Sequence, residues 1–128
     1  MGRRWTTGPF SPAADVISNS INAWYNEHQF AAQSDINTFT RLFVGDQAIG
    51  HFTVMVSERN IAVGCAVSNF VANGRNNTLL ACNYAANNTR DRVVYRSGPT
   101  ASGCTLGRDP TYPGLCRTNE PINPNSFD

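Results

Sequence analysis

Ile61-Ala62-Val63-Gly64-Cys65-Ala66-Val67 and Leu79-Leu80-Ala81-Cys82-Asn83-Tyr84 flank the dipeptide Asn73-Gly74, and this stretch decides the fold. The first run sets branched apolar residues and a cysteine at odd positions with small residues between them, which is a strand pattern. The second run is strand-like in the same way. Asn-Gly is a strong hairpin signal, because the two central residues of a type I′ turn both need positive φ. In a hairpin closed by such a turn, facing residues share one index sum. Cys65 and Cys82 share the sum of Asn73 and Gly74, so they face each other across the ladder within reach of a disulfide. Asparagines flank the turn, and a wider turn would shift that register.

The chain has four cysteines, so Cys104 and Cys116 remain to close a segment rich in turn residues: Gly107, Pro110, Pro113 and Gly114. No C-x-x-C pair is present, which removes the common zinc and thioredoxin spacings. The alternative is four buried thiols in a reducing compartment. The hairpin register favours two disulfides, and with them a secreted, extracellular protein. Two sequons, Asn76-Asn77-Thr78 and Asn87-Asn88-Thr89, make Asn76 and Asn87 candidate glycosylation sites.

Upstream of the hairpin, a short helix is expected over 48–57 with Ala48, Phe52, Met55 and Val56 inward and Asp46 as its cap. Asp46 also closes Val44-Gly45-Asp46, a variant of an integrin-binding tripeptide, but the cap is the simpler role. Ser11-Pro12 opens a longer helix reaching about residue 30, where Ile17, Ile21, Trp24 and His28 form one apolar stripe. The stretch 31–46 reads as loop, with a turn near 38–43. Downstream, Val93, Val94 and Tyr95 suggest a third strand over 92–95. This gives a lead-in over 1–10, one domain over 11–118 and a tail over 119–128.

Composition bounds the function. A chain of 128 residues with 41% hydrophobic and 15% charged residues suits one domain with a single core. Net charge is +1, so neither nucleic acid nor an anionic membrane is favoured as a partner. No window approaches the roughly 20 apolar residues of a membrane span. All the basic residues are arginines. Among them Arg90, Arg92 and Arg96 alternate and could hold an anion or a sulfated glycan, although alternation of this kind usually marks a solvated strand face.

Five ordered blocks resemble the CAP superfamily of cysteine-rich secretory, antigen-five and pathogenesis-related proteins. They are Ala23-Trp24-Tyr25-Asn26-Glu27, Gly50-His51-Phe52-Thr53-Val54-Met55-Val56, Val63-Gly64-Cys65-Ala66, Leu79-Leu80-Ala81-Cys82-Asn83-Tyr84 and Ser97-Gly98-Pro99-Thr100-Ala101-Ser102-Gly103-Cys104. Their texture is most similar to arthropod antigen-five-like venom and salivary proteins. The resemblance implies an α+β fold: an α-β-α sandwich around a central antiparallel sheet, here shortened at its N-terminal side. It implies secretion and, independently of the hairpin register, the Cys65–Cys82 bridge.

The same resemblance matches His51 and Glu27 to two members of a His/Glu tetrad; the helix and the Gly-Glu-Asn-like motif that carry the other two are not visible here. Imidazole and carboxylate could hold a divalent ion such as zinc, but catalytic zinc normally has three protein ligands. The plainer reading is a hydrogen-bonded pair on a cleft floor. His28 follows Glu27 but points about 100° away on a helix, and packing beside Trp24 is expected of it. Thr53 and Ser57 lack a nucleophile-elbow context. The expected function is therefore a non-enzymatic binding or effector module for a lipid, a sterol or a host protein, requiring no cofactor. The alternative is a metal-dependent hydrolase or protease built on His51 and Glu27. An uncovered layer of the shortened sandwich would favour self-association.

Overall fold

The computed structural model describes residues 1–126. The elements run β1 (Gly2–Thr6), α1 (Ala13–Asn26), a 3-10 turn (Glu27–Phe30), α2 (Gln33–Asn37), β2 (Phe43–Val44), β3 (Gln47–Ala48), α3 (Gly50–Met55), β4 (Val63–Ala72) and β5 (Arg75–Tyr84). The fold is mixed α and β, as expected, with a three-stranded antiparallel sheet in the order β1-β5-β4. Asn73 and Gly74 take φ of 52° and 67°, which only a primed turn requires. The expected register follows without a slip, and Cys65 pairs with Cys82.

Gly2–Thr6 is a correction to the lead-in expected over 1–10: it pairs along β5 from Gly2↔Leu80 to Thr6↔Asn76. Gly-Arg-Arg-Trp-Thr has no alternation that would announce a strand, and β5 supplies its order through the ladder. Gly2 also allows close approach to α1. A Cβ there would lie 2.9 Å from Ser20 Oγ and 3.4 Å from the Trp24 ring.

That contact sets the phase of α1. The buried face is Val16, Ser20 and Trp24, one residue earlier than the expected Ile17–Ile21 stripe, and Ile17 is left 39% exposed. The helix turns its small serine to the strand. Pro12 occupies the cap position, and no side chain caps the helix. Beyond Asn26 the helix tightens into the 3-10 turn instead of continuing to Phe30.

Other expectations also shift. The stretch 31–46 contains α2 and the strand β2, and Gly45 and Asp46 turn between β2 and β3, so Asp46 does not cap α3. Residues 92–95 form no strand. Arg92 makes an isolated bridge to Phe39, and Val94 plugs a core cluster with Ile36, Phe39 and Phe52. A second cluster joins Val16 and Trp24 to Leu80, with Ile21, Met55, Val67 and Cys82 against it.

From residue 97 onward the chain is turns and loops. Its Cys104–Cys116 bridge has a Cα–Cα distance of 5.3 Å. The expected tail over 119–128 is tied down in part. Glu120 accepts the amides of Thr105 and Leu106, and Arg59 donates to the Pro124 carbonyl at 2.8 Å. Residues 127 and 128 lie outside the described residues. Among the described residues no helix is long and apolar enough to cross a membrane.

Candidate functional site

Glu27 begins the 3-10 turn at the end of α1 and is buried beneath the N-terminus of α3. Helix N-termini leave backbone N–H groups without intrahelical partners. Ile49 at the cap position of α3 has no polar side chain to serve them. Glu27 does so from another element: its Oε2 accepts His51 N at 2.9 Å and Phe52 N at 3.0 Å. Its Oε1 accepts the His51 ring at Nδ1, 2.7 Å away. A carboxylate can only accept, so Nδ1 carries the proton and Nε2 faces away from Glu27.

The His51 ring lies on Trp24, with centroids 5.2 Å apart and planes 8° from parallel. Nε2 is 3.3 Å from the Met1 nitrogen. Met1, Trp24, His51, Val54, Cys82, Tyr84, Ala86 and Asn87 enclose a cleft of ≈240 Å³. Burial pushes the Tyr84 hydroxyl above its ordinary range. The structure thus brings His51 and Glu27 together as a hydrogen-bonded pair at a cleft, with one ring nitrogen outward.

Both Glu27 oxygens are committed, so its suitability as a direct ligand is low, and its role fits a group that orients an imidazole. Among the described residues there is no cluster of three His, Cys, Asp or Glu side chains suited to a metal. The residues present do not fit a closed zinc site, which needs four ligands, or a catalytic one with three.

His28 lies among other rings, and the Trp24 ring stacks on His51. The Nδ1 of His28 donates to the Tyr25 carbonyl at 2.8 Å, and its ring meets Tyr25 and Phe52. Thr53 is buried, donating to the Ile49 carbonyl at 2.9 Å and accepting Asn88 Nδ2 at 2.7 Å. Ser57 is buried, and its Oγ has no hydrogen-bond partner among the described residues. Asn88 also donates to the Gly50 carbonyl at 2.9 Å, and Asn60 accepts Ala86 N at 2.7 Å. These two asparagines tie the segment after β5 to α3 and so shape the cleft wall. Sequence reasoning missed them, because an asparagine's partner is set by tertiary contact and not by spacing.

The remaining candidates are dispersed. Asn76 lies in β5, its side-chain amide donating to the Gly8 carbonyl at 3.0 Å, whereas Asn87 is exposed. Arg96 pairs with Glu58 at 3.3 Å, and the Arg90–Arg96 segment is not a strand face. Both disulfides form as expected, Cys65–Cys82 with a Cα–Cα distance of 4.0 Å.

The model of the cysteine-rich secretory protein family matches residues 1–84. Venom allergen-1 of Aedes albopictus is 34% identical over 117 residues, which is 91% of this chain and 45% of that protein. Scoloptoxin SSD976 of Scolopendra dehaani is 37% identical over 103 residues, 80% of this chain and 46% of that protein. This chain therefore spans less than half the length of these relatives. The crystal structure of NaASP2 with Zn2+ has a similar fold, with a TM-score of 0.66 at 20% identity over 91% of this chain and 58% of that one. The ordered sequence blocks, the disulfide-bridged hairpin and these matches agree: the chain belongs to the CAP family of cysteine-rich secretory proteins.

Proposed function

We propose that this chain acts outside the cell as a non-enzymatic CAP-family binding module that takes the apolar segment of a small lipid or sterol. The cleft carries the proposal. Trp24, Val54, Tyr84 and Ala86 line ≈240 Å³ of space whose acid–base pair is occupied with itself. Drug-sized pockets hold about 300–1,000 Å³ and are mostly apolar with a few placed polar groups. This cleft is smaller and its lining is about as polar as it is apolar, so it suits only a short part of an acyl chain or one end of a sterol, with His51 Nε2 and Asn87 beside it. The two disulfides and the similarity to a venom allergen and a scoloptoxin support an extracellular setting.

The test is titration with a fatty acid and with cholesterol, followed by tryptophan fluorescence. Saturable quenching that a Val54→Arg variant loses supports the proposal. A flat titration with both probes refutes it.

A second reading, a metal-dependent hydrolase, draws on the outward Nε2 of a carboxylate-oriented histidine. It requires further ligands from outside this pair. Stoichiometric zinc in the purified protein, lost in His51→Ala, would favour it over the binding module.

A further inference from the structure

The sheet has a second face that the cleft does not use. Arg3, Trp5, Phe70, Arg75, Asn77 and Leu79 lie on it, because they alternate with the residues that face α1. Phe70, Asn77 and Trp5 are direct neighbours across the three strands. Arg3 spans Asn77 Oδ1 through Nε at 3.1 Å and Nη2 at 2.8 Å, and its guanidinium lies 5.7 Å from the Phe70 ring centre. Arg75 stacks on Trp5 at 3.9 Å. Asn77 is buried beneath this layer, while both arginines stay exposed.

The charge on this sheet is one-sided. The three strands carry neither aspartate nor glutamate; of their arginines, Arg3 and Arg75 lie on this face and Arg4 on the other. No carboxylate of the described residues pairs with any of the three. Trp5 holds the Arg75 guanidinium flat, and Asn77 fixes Arg3 through its Nε–Nη2 edge, which leaves the Nη1 group of Arg3 and the Arg75 donors for anionic oxygens.

We infer that the Arg3–Arg75 face of the sheet is a docking surface for an extended sulfated polysaccharide. A bilayer is the weaker fit, because interfacial binding needs a broad apolar face, and here the exposed Trp5 and Phe70 rings each carry an arginine beside them. A single-stranded nucleic acid stacks its bases on ring faces, and Arg75 already occupies one face of Trp5. The inference is independent of the cleft.

The experiment uses the full chain and a size-defined heparin oligosaccharide, titrated by calorimetry at about 0.15 M salt, where exposed charges are screened beyond ~8 Å. The expected result is saturable binding that weakens as salt rises, falls at least tenfold in Arg75→Gln and in Arg3→Gln, and is unchanged in Arg90→Gln. Arg75→Gln carries the test should Arg3→Gln lose stability with its Asn77 contact. Absence of binding, or an equal loss in Arg90→Gln, would overturn the inference. So would tighter binding to phosphatidylserine vesicles or to an oligothymidylate than to the oligosaccharide.

Discussion

Glu27 holds His51 at two levels at once, accepting its backbone amide at 2.9 Å and its ring Nδ1 at 2.7 Å. One buried carboxylate therefore caps α3 and sets the imidazole tautomer. Glu27→Ala leaves the His51 and Phe52 amides without an acceptor in a buried place, and unsatisfied groups of this kind cost about 1–3 kcal/mol each. A loss of about 2–4 kcal/mol is expected in urea denaturation. Glu27→Gln keeps one oxygen for the helix and should lose less, while its amide nitrogen drives the His51 proton to Nε2. Nitrogen-detected NMR of the imidazole reads that tautomer change directly.

Asp35 gives the fold an acid-sensitive point. Its carboxylate is bonded by Arg41 at 2.8 and 3.1 Å and accepts Ala32 N at 2.9 Å. The Arg41 hydrogen bonds chiefly, and the Ala32 amide with them, hold its pKa below the ordinary 3.8, against the opposing effect of burial. A carboxylate depressed by folding stabilises the native state at pH values above its unfolded pKa. The contribution is lost as pH falls from there through the lower folded value. Denaturation midpoints measured from pH 6 to pH 2 should show a decline that is smaller in Asp35→Asn, and that variant should be less stable at pH 6.

Legibility in the sequence followed the range of the contacts involved. The β4–β5 hairpin and Cys65–Cys82 could be read because a two-residue turn fixes every pair outward from itself. His51 and Glu27 stood out through family resemblance, but the capping of α3 by Glu27 did not, since it joins residues in separate elements. Asp46 looked like the cap because it stood nearby in sequence, and the β2–β3 turn uses it instead. The β-propensity of Val94 suggests a strand, whereas burial against Ile36 and Phe52 is what its branched side chain serves.

The two disulfides should differ in where their loss is felt. They span 17 and 12 residues, so chain entropy assigns each about 3 kcal/mol. Cys65 and Cys82 lie within a continuous ladder, and the double alanine variant should keep its hairpin while losing global stability. Cys104 and Cys116 tie a segment without regular strands, so their removal should open that segment locally. Limited proteolysis should then cut within residues 104–116 before any other part of the chain, and hydrogen exchange in β4 and β5 should change little.

The crossing of β1 over α1 depends on two small residues, Gly2 and Ser20. Ser20 is the middle member of the buried face Val16–Ser20–Trp24, and a Cβ at Gly2 would sit 2.9 Å from its hydroxyl. Ser20→Leu makes the stripe more hydrophobic, so a count of apolar residues would score it as stabilising. The contact argues the reverse. The larger side chain must displace either β1 or the helix, and overpacking of this kind costs about 1–3 kcal/mol. Displacement of β1 is the easier outcome, since the strand is short and lies at the sheet edge. Ser20→Leu should therefore lower stability, and hydrogen exchange at Arg3–Thr6 should rise by more than it does in β4. Gly2→Ala should have the same effect to a smaller degree, and Ile17→Ser, on the exposed neighbouring position, should leave both measurements nearly unchanged.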